Sequence, residues 1–238
     1  MGVYWSQKNG DERVAGEEKG EYWRCTAIEP ETRLRVGRGI EQTETKAAIQ
    51  LWQQVKQREA HADMPPPVLS DGWGGHREAL VQVYGKVPEY SGRGRPPTRK
   101  RPVEGWHYTQ MVKKRDSQGN LTGVDIRVIY GDETTLAQTG TRTVYVERTN
   151  LTSRLMNGRL VRKTLGFSKA LTMFKASCVW EDVVYNLTRS VKTLRVEVKS
   201  RTNRRWIHRS PAMAAGITDH LWSIRQVLMT VPVPTNSI

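Results

Sequence analysis

Apolar and polar positions along the chain alternate with two periods, and where the period changes the elements separate. Residues 21–28 (Glu-Tyr-Trp-Arg-Cys-Thr-Ala-Ile) and 34–40 show strand-like patterning, and Glu29-Pro30-Glu31-Thr32 between them suits a tight turn, so a hairpin is expected. Thr43 then caps a predicted helix to about Arg58, with Ala47, Leu51 and Val55 four apart on one face. Pro65, Pro66 and Pro67 bar its continuation.

A short strand, Val68-Leu69-Ser70, delivers Asp71 just before Gly72-Trp73-Gly74-Gly75, and a helix is expected over 77–84. Asp71 therefore stands at a strand's carboxyl end. Ligands collect at that edge in open sheets with crossover helices, although Asp before Gly is equally a turn residue and helix cap. Residues 91–102 carry five cations and no apolar side chain, which predicts a mobile loop or linker whose natural partner is phosphate. Two more strands follow, 106–115 and 124–130, around the turn Asp116-Ser117-Gln118-Gly119-Asn120, and then a short helix or loop over 134–140.

From Tyr145 to about Ser190 the pattern is helical: Leu151, Leu155, Leu160, Phe167, Leu171, Phe174, Cys178 and Val179 recur near a spacing of three or four residues. Glu147, Asn150 and Arg154 fall at i, i+3 and i+7, so they share a face and can address a metal and a phosphate together. Glu147 paired with a neighbouring Arg on a solvated face is the plainer alternative. Trp73, Trp106 and Trp180 read as core. The five histidines show no mutual spacing that suggests a metal site or a base.

Charge narrows the function. There are 38 Lys+Arg against 24 Asp+Glu, a net charge of +14 in 238 residues, which makes nucleic acid the leading partner class. Basic membrane binders carry an amphipathic cationic helix or an apolar anchor, and neither is visible. No run of about eighteen apolar residues spans a membrane, and no signal peptide is recognised, so the expected location is the cytoplasm. Cys25 and Cys178 lack ligand-spaced neighbours and read as buried thiols.

The segment Tyr145-Val146-Glu147-Arg148-Thr149-Asn150-Leu151-Thr152, with Arg159, Arg162-Lys163-Thr164 and Phe167-Ser168-Lys169 downstream, closely resembles the third-carboxylate helix of insertion sequence one family transposases. Ser70-Asp71-Gly72-Trp73 is similar to that family's second-carboxylate motif, and Ala27-Ile28-Glu29-Pro30-Glu31-Thr32 to its second-strand turn. Ser210-Pro211-Ala212-Met213-Ala214-Ala215-Gly216 and His220-Leu221-Trp222 resemble the tail of one branch.

The resemblance implies an α/β fold of the ribonuclease-H-like, retroviral-integrase-like kind, a mixed five-stranded sheet flanked by helices. A catalytic core over residues 1–190, with the basic loop 91–102 inside it, would precede a basic helical tail over 191–238. It further implies an Asp, Asp, Glu triad binding two Mg²⁺ (or Mn²⁺) ions, with Asp71 and Glu147 as two of the ligands and no small-molecule cofactor. Asn150, Arg154, Arg159, Arg162, Lys163 and Lys169, with Arg93, Arg95, Arg99, Lys100 and Arg101 of the loop, would hold DNA, both element ends and target. The chain would act as a homodimer, nucleoid-associated in a bacterial or archaeal cell.

The first ligand departs from the family pattern. It opens the first strand there as Asp-Glu-x-Trp, and here Gly2 stands three residues before Trp5. Either that strand is truncated or the site is disarmed, leaving a DNA-binding derivative without catalysis. Glu29 falls in the hairpin turn and Asp11 in a polar stretch, so neither replaces the ligand well. No room is left for the family's amino-terminal reader domain. A basic RNA-binding or ribosome-associated protein is the third alternative; it explains the charge but not the order of the Asp71 and Glu147 motifs.

Overall fold

The computed structural model describes residues 2–5, 22–58, 63–92, 94–141, 143–161, 165, 166, 168–198 and 206–230, with side chains from residue 22 onward. Asp11, Arg93, Arg162 and Lys163 lie outside the described residues. The protein is mixed α/β, with small sheets and helices in two compact units: Met1–Ile28 with Val36–Leu171, and Glu29–Arg35 with Thr172–Ile238. No helix among the described residues is long and apolar enough to cross a membrane.

In the first unit β1 (Gly2–Trp5) pairs antiparallel with β2 (Trp23–Ile28), Gly2 opposite Thr26 and Trp5 opposite Trp23, and β3 (Arg35–Glu41) completes a sheet of order β1-β2-β3. Helix α1 (Glu44–Arg58) starts where Thr43 Oγ1 accepts the Lys46 amide (3.3 Å) and buries Ala47, Ala48, Leu51, Trp52 and Val55. Gly39 permits its close approach: a Cβ there would lie 1.8 Å from the Ala47 carbonyl oxygen.

Strand β4 (Val68–Asp71), helix α2 (Gly75–Tyr84) and strand β5 (Tyr108–Arg115) form a parallel β-α-β unit, and β6 (Leu121–Tyr130) returns antiparallel to β5. The β5–β6 turn is held by Asp116 Oδ1, which accepts the Gln118 and Asn120 amides (2.9 and 2.8 Å), while Gly119 takes the left-handed conformation. One apolar core joins α1, α2, β4 and β5 through Leu51, Leu80, Tyr84, Val68, Trp106 and Tyr108.

Short α3 (Thr135–Thr139) and then α4 (Val144–Met156) follow. Helix α4 packs on β1 and β2 and buries Thr149, Thr152 and Ser153, whereas Leu151 and Leu155 are 57% and 77% exposed. The apolar period therefore marks its outer face, because small side chains let a helix lie close to a sheet. Of the three tryptophans expected in the core, Trp106 is buried and Trp73 packs against it half-buried, but Trp180 is 41% exposed.

The second unit holds α5 (Leu171–Val183) from Thr172 on, a π-helical turn (Val184–Thr188), the two-residue pair β7 (Val196–Glu197) and β8 (Trp206–Ile207), and short α6 (Pro211–Ala214) and α7 (Ile224–Met229). Its centre is charged. Arg35 Nη1 donates to Glu181 Oε1 (2.5 Å) and Asp182 Oδ1 (3.0 Å), all three buried, and its guanidinium lies 4.0 Å from the centre of the Tyr185 ring. Asn186 closes the arrangement: its Oδ1 accepts the Arg35 amide (3.0 Å) and its Nδ2 donates to the Arg35 carbonyl (3.1 Å).

Removing one member strands buried charge, which costs about 3–5 kcal/mol. Arg35→Ala is therefore expected to lower unfolding free energy by about that amount in urea titrations; a loss under about 1 kcal/mol, typical of an exposed pair, would show that the cluster is not structural.

Candidate metal and nucleic-acid site

The register of β4 on β5 places the carboxylates. Val68 pairs with Tyr108, Leu69 with Thr109, Ser70 with Gln110 and Asp71 with Met111. Alternation sends Val68 and Ser70 into the core and leaves Asp71 on the other face, with Met111. The core side is fixed by hydrogen bonds as well as packing: Ser70 Oγ and Tyr108 Oη lie 2.9 Å apart, and Gln110 Nε2 donates to Tyr108 Oη (2.8 Å) and to the Trp73 carbonyl (3.1 Å). Burial pushes the Tyr108 phenol up to about 12, so it stays protonated.

On the opposite face β5 meets the α3–α4 segment at three points two residues apart along the strand. Thr109 Oγ1 donates to Thr139 Oγ1 (2.9 Å), Met111 Sδ accepts from Thr143 Oγ1 (3.2 Å), and Lys113 Nζ donates to Glu147 Oε1 (2.5 Å). From Thr143 to Glu147 the match is geometric, because two strand residues advance about 6.8 Å and four helical residues about 6 Å. By register Asp71 stands beside Met111, two strand residues before the Lys113 that meets Glu147, 76 residues after Asp71 in sequence. Both carboxylates are half exposed, at 52%.

The Asp71 carboxylate is engaged at the start of the β4–α2 turn. Its Oδ1 accepts the Trp73 amide (3.3 Å) and lies 3.6 Å from His76 Nε2. His76 is fully buried, edge-on to the Trp73 ring at 4.8 Å, and neither of its ring nitrogens has a hydrogen-bond partner among the described residues. Burial holds its pKa down at about 3, so the ring is neutral at physiological pH and carries one N–H.

Asp71 is also felt at α1. Burial and then the Asp71 charge hold the Glu44 carboxyl above its usual range, and burial, Glu44 and Asp71 in that order push the Cys25 thiol up. Cys25 and Cys178 are both buried thiols outside any disulfide, as expected.

Hard carboxylate oxygens open to water suit Mg²⁺, which keeps several of its waters when protein-bound. Asp71 and Glu147 each offer such oxygens, half exposed. Among the described residues no three of His, Cys, Asp or Glu gather closely enough to hold an ion together. The Lys113–Glu147 pair is exposed, and such pairs are worth about 0–1 kcal/mol, so Lys113 is readily displaced.

The expected DNA contacts fall into two groups. Asn150 and Arg154 are half-buried on α4, Arg159 is half-buried with Nη1 donating to Ser168 Oγ (2.7 Å), and Lys169 is exposed. Arg95, Arg99, Lys100 and Arg101 are all exposed. Their loop is tied to the far end of α2, where Lys100 Nζ donates to the Gln82 carbonyl (2.7 Å) and Arg101 and Lys86 exchange backbone hydrogen bonds (2.9 and 3.1 Å). About 15 Å of helix separates that anchor from Asp71.

Sequence reading missed His76, Lys113 and Glu44. Lys113 was findable, since it stands two residues from Met111 on the strand that pairs with Asp71. Comparisons with protein-family models, with curated proteins and with solved structures give no match.

The neutral buried His76 predicts a pH effect. Between pH 6.5 and 3 the unfolded chain takes up a proton that the folded one refuses, so stability falls as pH drops through that window and is unaffected above it. His76→Leu is expected to flatten the fall in Tm between pH 6.5 and 4.5; an unchanged slope would assign the loss to other groups.

Proposed function

We propose that the protein is the catalytic domain of a DNA transposase of the insertion sequence one kind, cutting DNA strands and joining them to a target in a metal-dependent reaction. What supports this reading is the β4–β5 register, which sets Asp71 beside Met111, two strand residues before the Lys113 that meets Glu147 at the start of α4. The element order supports it too: three leading strands, a helix, a β-α-β unit, then a later helix bearing a carboxylate. Pairing of β1 with β4 would join the two sheets in the order β3-β2-β1-β4-β5-β6, a ribonuclease-H-like arrangement with β5–β6 as a hairpin addition.

In this reading Asp71 and Glu147 would hold divalent ions against phosphate. When bound, such ions stabilise the attacking and leaving oxygens of an in-line displacement at phosphorus. Lys113 leaves Glu147 and turns its ammonium to a phosphate oxygen of the DNA. Water as nucleophile frees a 3′-hydroxyl, which then attacks target DNA. The exposed cations Arg95, Arg99, Lys100 and Arg101 of the 91–102 loop and Lys169 after α4 bind backbone phosphate, and a homodimer supplies two sites for two DNA ends. A nucleoid-associated location in the cytoplasm follows from such a substrate.

A second reading is favoured by Gly2, which occupies β1 where the resemblance calls for the first Asp. It makes the chain a transposase-derived DNA-binding protein without catalysis. One assay divides the two: a labelled duplex incubated with Mg²⁺ or Mn²⁺ is expected to be nicked by the wild type and not by Glu147→Gln. Tight binding with no nicking by the wild type would establish the second reading.

In either case phosphate contacts dominate, so log K should fall linearly with log salt by roughly 0.9 per phosphate neutralised. Charge reversal at Arg99, Lys100 and Arg101 is expected to reduce that slope. A slope unchanged by the substitutions would remove the loop from the DNA interface.

A further inference from the structure

We infer that His76 is a positioning residue for Asp71, donating its Nε2–H to the Asp71 carboxylate and fixing the direction in which that carboxylate faces a divalent cation. The inference rests on Asp71 being a metal-facing carboxylate.

The geometry is specific. His76 Nε2 lies 3.6 Å from Asp71 Oδ1, just beyond a hydrogen bond, and the half-exposed carboxylate has freedom to close that gap. The ring itself has none: it is fully buried at the start of α2 with its edge contact to Trp73. Trp73 in turn holds both sides, its amide donating to Asp71 Oδ1 and its carbonyl accepting from Gln110. A rigid donor thus faces a movable acceptor across Gly72-Trp73-Gly74-Gly75.

A purely structural role does not account for this. Both ring nitrogens are buried without a hydrogen-bond partner among the described residues, and an unsatisfied buried polar group costs about 1–3 kcal/mol. An aliphatic side chain of similar volume would fill the space without that cost. An imidazole is useful there only if something outside the core takes its hydrogen bond, and the movable Asp71 Oδ1, 3.6 Å away, is the acceptor placed to do so. Outer partners of this kind orient metal-binding carboxylates, and their loss lowers metal affinity by about 10–100-fold.

Two measurements on the full chain test it. Long-range ¹H–¹⁵N correlation on histidine-labelled wild type should show His76 as the Nε2–H tautomer, with its Nε2 resonance moving on Mg²⁺ addition. Mn²⁺ titrations followed by electron paramagnetic resonance should show His76→Leu binding about 10–100-fold more weakly than wild type, with an unchanged or higher Tm, whereas His76→Gln, which keeps a donor near the Nε2 position, should retain most of the affinity.

An Nδ1–H tautomer overturns the inference, and decides it even if His76→Leu fails to fold. So does wild-type affinity in His76→Leu when Asp71→Asn has lost it, an outcome that leaves the metal role of Asp71 standing. Wild-type affinity in Asp71→Asn removes the metal role itself, and the inference falls with it.

Discussion

Everything proposed for this protein depends on the parallel register of β4 on β5. A strand's side chains alternate, so slipping the pairing by one residue would turn Asp71 into the core and Ser70 to the surface. Two things hold the register. Val68 and Tyr108 pack into the apolar core, and Ser70, Tyr108 and Gln110 form a buried hydrogen-bond chain that only this pairing satisfies. Breaking it would strand the buried Tyr108 hydroxyl, at a cost of about 1–3 kcal/mol. The register that keeps the core satisfied is also the one that sets Asp71 beside Met111, two strand residues before Lys113.

The second unit is organised differently. It is built on a buried charge cluster of Arg35, Glu181 and Asp182, capped by Tyr185 and tied to the backbone by Asn186. Buried ion pairs contribute little net stability but penalise any arrangement that separates them. The cluster therefore specifies how the segment Glu29–Arg35 is held with the helical region 146 residues later.

Local patterning made much of the fold legible. The hairpin β2–β3, the Thr43-capped α1, the strand ending at Asp71 and the β5–β6 hairpin follow from turn residues and periodicity, and each lies within a few residues of expectation. The buried face of α4 was not legible, because period alone says which residues share a face and not which face is covered; here Thr149, Thr152 and Ser153 are inside and Leu155 is outside. Trp180 misled for the same reason. Asp71 and Glu147 were visible as motifs, but their relative placement depends on pairing between strands far apart in sequence. His76 was invisible because its signal is burial without a partner, a property no spacing of histidines encodes.

The measurement that bears most directly on the proposed metal site is metal-directed cleavage of the protein's own backbone. Fe²⁺ placed at the Mg²⁺ site, with ascorbate and peroxide, generates hydroxyl radicals that cut only nearby chain. Cuts clustered around both Asp71 and Glu147, suppressed by excess Mg²⁺ and absent in Glu147→Gln, are the predicted result. Cleavage confined to one of the two segments, or unaffected by Mg²⁺, would contradict the account.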